Sequence, residues 1–131
     1  MPPYTDHMGL VITTSSEVAA ARYADGIELV VASSPDARAM LKAAVDADPA
    51  LAVARAALAW VGACQAGADW ALLDALAATT AGSSSGTRRE RQHVEIVLTA
   101  LRGDGERARA LGSEHVREFP GDVLVAYVIS H

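Results

Sequence analysis

The sequence predicts an all-α chain, an array of antiparallel helical hairpins of about three hairpins followed by a C-terminal helix. Three observations carry this. Hydrophobic residues make up 51% and aromatics only 5%, and alanine carries much of the apolar fraction, which favours close packing of slender helices. Apolar residues recur at helical spacing between capping residues and Gly or Pro stops. The connections are only a few residues long, so neighbouring helices run antiparallel. The stretch "DADPALAVARAALAWVGA", residues 46–63, shows the logic. Pro49 separates two helical segments, and inside one continuous helix it would cost about 3 kcal/mol or more. It therefore joins one hairpin to the next.

In chain order, residues 1–16 form a flexible N-terminal segment and 17–131 a single helical-repeat domain. Ser15 and Ser16 offer caps for a first helix over about 17–32, with Val18, Ala21, Ile27, Val30 and Val31 on its buried side. A second helix starts with Ser34 as cap and Pro35 in its first turn, and stops at Asp48, because the residue before a proline leaves the helical region. The third covers about 50–66, with Leu51, Leu58, Trp60 and Val61 inward and Gly67 as its stop. Asp69 caps a fourth, "WALLDALAAT", before the flexible "AGSSSGT". A fifth spans about 88–102 with Val94, Val97, Leu98 and Leu101 on one side. Asp104 caps a sixth that ends at Pro120, and "DVLVAYVISH" opens a seventh.

Composition narrows the function classes. A net charge of -5 and a pI near 5.2 argue against a nucleic-acid footprint, which would cluster Lys and Arg. Cys64 stands alone, so no internal disulfide forms, and it is expected to pack as a small apolar residue. The N-terminus lacks a basic opening followed by a long apolar run, and no stretch reaches about 18 uncharged apolar residues. The expectation is a cytoplasmic protein with no membrane span and no cofactor.

The spacing also carries a repeat. A tetratricopeptide repeat of about 34 residues sets Ala, a large apolar residue, Ala and Pro at fixed offsets along its second helix. Ala37, Leu41, Ala44 and Pro49 match all four. One period on, Ala71, Ala75, Ala78 and Ser83 keep the small positions only, while Leu58 and Ala59 fit the first helix of that unit. Pro120 lies 71 residues after Pro49, with three extra residues accommodated at 82–86; there Ala108 fits, and Gly112 and His115 replace the large and small residues.

The segments "LKAAVDADPALAVARAALAWV" and "RRERQHVEIVLTALRGDGERARALGSEHVREFPGDVLVAYVISH" resemble the tetratricopeptide repeat protein 38 family over about 34–131. The most specific matches are Arg89, Glu90, Arg91 and His93, then Gly103 and Asp104, and the step from Phe119 to Asp122. The resemblance implies a helical solenoid and carries no catalytic residues onto these positions. Members run on for several helices past the equivalent of His131, so it also implies a last hairpin without its partner.

Two functional expectations follow. The first is a protein-protein interaction or scaffold module that holds a protein or peptide partner and self-associates as a homo-oligomer. The apolar run Val123, Leu124, Val125, Tyr127, Val128 and Ile129 would supply the contact, with fold-back onto the third hairpin as the alternative. The second is a small enzyme or ligand-binding protein whose pocket joins His93 and His115 to Arg88, Arg89 and Arg91. It requires both histidines to reach a common point. No metal-ligand spacing supports a metal site, and His7 and His131 weigh less. Arg88, Arg89 and Arg91 sit in a first helical turn against the macrodipole, which marks either an anion-binding terminus or a solvated face with an Arg91–Glu95 pair. Trp60 and Trp70 are expected as core anchors.

Overall fold

The computed structural model describes residues 4–67, 71, 74 and 86–130. An all-α architecture is observed. Among the described residues six helices pack on one another beside a single two-stranded sheet: β1 (Tyr4–Thr5), β2 (Val11–Ile12), α1 (Glu17–Val31), α2 (Ala37–Ala47), α3 (Ala52–Ala66), α4 (Arg88–Leu101), α5 (Gly105–Glu118) and α6 (Val123–Ile129). The helix expected around 70–79, Trp70 included, lies outside the described residues.

Local chemistry sets the boundaries. Ser16 accepts the Ala19 N–H at 3.0 Å and starts α1. Ser34 instead bonds the Asp36 N–H (3.2 Å), so α2 begins two residues after Pro35. Pro49 occupies the turn between α2 and α3, and Gly67 and Gly103 end their helices with φ of 86° and 90°, which glycine adopts without strain.

Residues 4–16 are structured where a flexible segment was expected. The antiparallel pair sets Tyr4 opposite Ile12 and Thr5 opposite Val11, and Ile12 is buried in the core. Thr13 donates its N–H to Glu90 Oε2 (2.9 Å) and its hydroxyl to Oε1, while the Thr14 hydroxyl donates to Asp48. Composition conceals these bonds because their acceptors lie far along the chain.

Helices consecutive among the described residues pack in turn, α1 on α2, α2 on α3, α3 on α4, α4 on α5 and α5 on α6, and α6 also touches α1 and α4. An open array would keep its first and last helices apart; here the α1–α6 contact joins them. Apolar burial accounts for the closure. Of the six residues expected to mediate self-association, Leu124, Val125 and Val128 are buried within the protomer, as fold-back requires, while Val123, Tyr127 and Ile129 are half-buried. Close approaches need glycine at two places: a Cβ on Gly26 would lie 2.6 Å from Leu41 Cδ2, and one on Gly112 would lie 2.4 Å from Ile129 Cγ2. Trp60 is in the core as expected, whereas Cys64, one turn further along the same face of α3, is exposed where that face opens into a cleft lined by Ser33, Pro35 and Tyr127.

Candidate functional site

Asp122 lies where α4, α5 and α6 meet. It caps α6, accepting the Val125 N–H at 3.5 Å. Three further groups converge on its carboxylate. His93 Nδ1 is 2.9 Å from both oxygens, His115 Nε2 is 2.7 Å from Oδ2, and Arg89 Nη1 donates to Oδ2 at 3.2 Å. The second Arg89 nitrogen donates to the Val11 carbonyl at 2.8 Å, tying the hairpin to the same centre. The cluster is closed to solvent, with His93 at 0% and Asp122 at 3% exposure.

Burial alone would raise the Asp122 pKa. The charge of His93, the hydrogen bonds from His115 and His93, and the charge of Arg89 together outweigh it and hold the carboxyl well below the usual carboxylate range. Asp122 is thus an anion, and it faces one fixed cation, Arg89. Tyr23 of α1 stands in the same surroundings, and burial followed by the Asp122 charge pushes its hydroxyl well above the ordinary value.

The expected pocket residues divide. His93 and His115 share one carboxylate, as the second expectation required, and Arg89 joins them. Arg88 is exposed and makes a two-bonded ion pair with Glu118, one bond being 2.8 Å; this pairing holds Glu118 below its usual range. Its guanidinium lies 5.9 Å from the centroid of the Phe119 ring. Arg91 departs from the cluster, turning back to donate to the Gly86 carbonyl at 2.7 Å, and no Arg91–Glu95 pair forms. The reason is local: a loop carbonyl lies within reach at the helix start. Arg88 and Arg89 are neutralised by acceptors from later in the chain, and Glu90 completes a capping box with Thr87. Together these offset the unfavourable cations in the first turn.

Sequence reasoning missed Asp122 and Glu90 as the acceptors around which these side chains and the N-terminal hairpin gather. The available signals were the Asp after Pro-Gly at a helix start and the Glu three residues after Thr87.

Beside the cluster, a cleft of about 280 Å³ opens between α4 and α5. Ile96 and Leu111 give it apolar wall, Glu95, Glu114 and the Arg88–Glu118 pair stand along it, and His115 and Gln92 lie at its inner side. With the Gln92 amide turned so that its nitrogen donates to His115 Nδ1 (2.9 Å), its oxygen accepts from Arg88 Nε and Nη2, both at 3.3 Å. A hydrogen-bonded line then runs from the buried carboxylate to the rim. Elsewhere among the described residues, His7 Nε2 lies 2.9 Å from Asp25 and 3.6 Å from Glu28, an exposed grouping with the donor types of a metal site and the geometry of a surface ion pair.

No family model, curated protein or solved structure compared with the chain gives a match. No helix among the described residues is long and apolar enough to cross a membrane.

Proposed function

We propose that the chain is a protein-interaction module of tetratricopeptide type, cytoplasmic, that holds a peptide or protein partner on its stacked hairpins. One observation carries the reading: two hairpins 71 residues apart bury equivalent positions. The buried residues of α2 are Ala37, Leu41 and Ala44, and those of α5 are Ala108, Gly112 and His115, while Pro49 and Pro120 follow at the same offset. In the first helices Tyr23, Ile27 and Val30 correspond to Val94, Leu98 and Leu101, all buried. Repeated hairpins that bury the same stripe leave their other faces for recognition, and the α4–α5 cleft offers apolar wall and carboxylates to a partner side chain. Copies of the chain associating through the half-buried Val123, Tyr127 and Ile129 belong to the same proposal.

Panning a random peptide library on the folded chain tests it. The expected result is enrichment of peptides with a shared motif whose binding drops at least about tenfold in Leu111→Glu, the equivalent of about 1.4 kcal/mol. No enrichment, or selected peptides indifferent to the cleft, would sink the reading.

A ligand-binding or catalytic reading draws on a different observation, the meeting of His93 and His115 on Asp122. His93 is enclosed, so any ligand would be reached from His115 through Gln92. A thermal-shift screen of small charged molecules, with hits lost in Gln92→Leu, would support this reading; a screen without hits removes its basis.

A further inference from the structure

We infer that the α4–α5 cleft seats a basic side chain, a lysine or arginine of a peptide partner; this deepens the interaction reading and rests on it. Two helical stripes face each other across the cleft. On α4, Arg88, Glu95 and Ile96 lie at i, i+7 and i+8, and on α5, Leu111, Glu114 and Glu118 lie at i, i+3 and i+7. The volume of about 280 Å³ falls below the roughly 300–1,000 Å³ of sites that enclose a whole small molecule. It suits a single side chain.

The charges along these stripes do not balance. Glu95, Glu114 and Glu118 stand against Arg88, and Arg88 is already committed, bonding Glu118 twice and lying 5.9 Å from the Phe119 ring centroid. Among the described residues the carboxylates of Glu95 and Glu114 make no ion pair and accept no hydrogen bond. His115, at the inner side, turns Nε2 to the Asp122 anion at 2.7 Å, so it answers that buried charge rather than the rim.

Each kind of occupant meets this lining differently. An acidic side chain would face surplus carboxylate, with the cation at the rim taken. An apolar one would cover Ile96 and Leu111 but shield two unpaired carboxylates from water without compensation. A lysine or arginine satisfies both parts, because its methylene stem lies along the apolar wall while its charged head stays at the wet rim. There it forms charge-assisted hydrogen bonds. Glu95 comes from α4 and Glu114 from α5, so the head is met from both walls, an arrangement that the several donors of a guanidinium fork can use fully.

The test selects peptides from a random library on the whole chain and measures synthetic versions by titration calorimetry. The expected result is a shared arginine or lysine whose replacement by uncharged citrulline or norleucine weakens binding at least about tenfold, as does the double variant Glu95→Gln, Glu114→Gln. Both glutamates are exposed, so folding tolerates the change, and an unchanged urea midpoint verifies it. A double variant with the same change of charge away from the cleft, Glu17→Gln with Asp36→Asn, is expected to bind within about twofold of the wild type, since exposed charges beyond about 10 Å are screened. Cleft-dependent peptides that share an acidic or apolar residue instead would overturn the inference and leave the interaction reading standing. Equal losses in the two double variants would do the same, since they would mean general attraction to an acidic chain. Absence of any cleft-dependent peptide would overturn both.

Discussion

Replacing Asp122 with alanine removes the group on which three helices and the N-terminal hairpin converge. The largest consequence falls on Arg89, which is 5% exposed and has Asp122 as its only anionic partner among the described residues. A buried charge stripped of its partner destabilises by about 3–5 kcal/mol. Loss of the α6 cap adds about 1 kcal/mol. The expected total is about 4–6 kcal/mol, a large part of the roughly 5–15 kcal/mol that stabilises a typical domain. Urea unfolding followed by far-UV circular dichroism measures it as a fall in midpoint at similar slope. Arg89→Met tells the mechanism apart from simple loss of packing. Once Arg89 is gone, removing Asp122 no longer strands a cation, so the double variant should lose less than the sum of the singles by about 1–3 kcal/mol. Glu118→Gln, which breaks only the exposed pair with Arg88, should barely move the midpoint. A loss below about 1.5 kcal/mol for Asp122→Ala, or strict additivity with Arg89→Met, would refute the reasoning.

Three further outcomes are expected. Because the folded-state pKa of Asp122 lies below the unfolded value of 3.8, its ionisation stabilises fully above that pH and progressively less below it. The stability gap between the protein and Asp122→Asn should therefore narrow as pH falls below about 4, and a constant gap in acid unfolding would contradict the assignment. Gly26→Ala forces a methyl group against Leu41 and should cost about 1–3 kcal/mol, with part recovered when Leu41 is shortened to Val, both read from urea midpoints. Val125→Glu should abolish the fold, since Val125 is wholly enclosed, which leaves Val123→Ser as the variant for testing association; sedimentation of a wild type that stays monomeric at roughly tens of micromolar would end the self-association proposal.

The helices were legible in the sequence because the forces that set them are local. Ser16, Asp104 and Gly67 act on backbone groups within a few residues, and the 3.6-residue apolar period places Leu41 or Val97 inward whatever the helix later meets. The equivalence of Ala37, Leu41 and Ala44 with Ala108, Gly112 and His115 was legible for the same reason, being a pattern of spacing. The candidate site was legible only in part. Histidines on two helices of one hairpin could be suspected of meeting; that they meet on Asp122, with Arg89 buried beside them and Arg91 turned away, depends on how α4, α5 and α6 pack. The same holds for the N-terminal hairpin, fastened through Thr13 to Glu90, 77 residues away, and for the fold-back of α6. Hydrogen bonds and ion pairs across such separations form only after the backbone has closed the distance, and nothing in residue type or local periodicity records which distant groups will then be neighbours. The sequence by itself thus determined the class of the helices and the inward stripe of most of them, although α1 exposes Val18, Ala21 and Val31, which were expected inward; tertiary packing alone decided which charges were buried together.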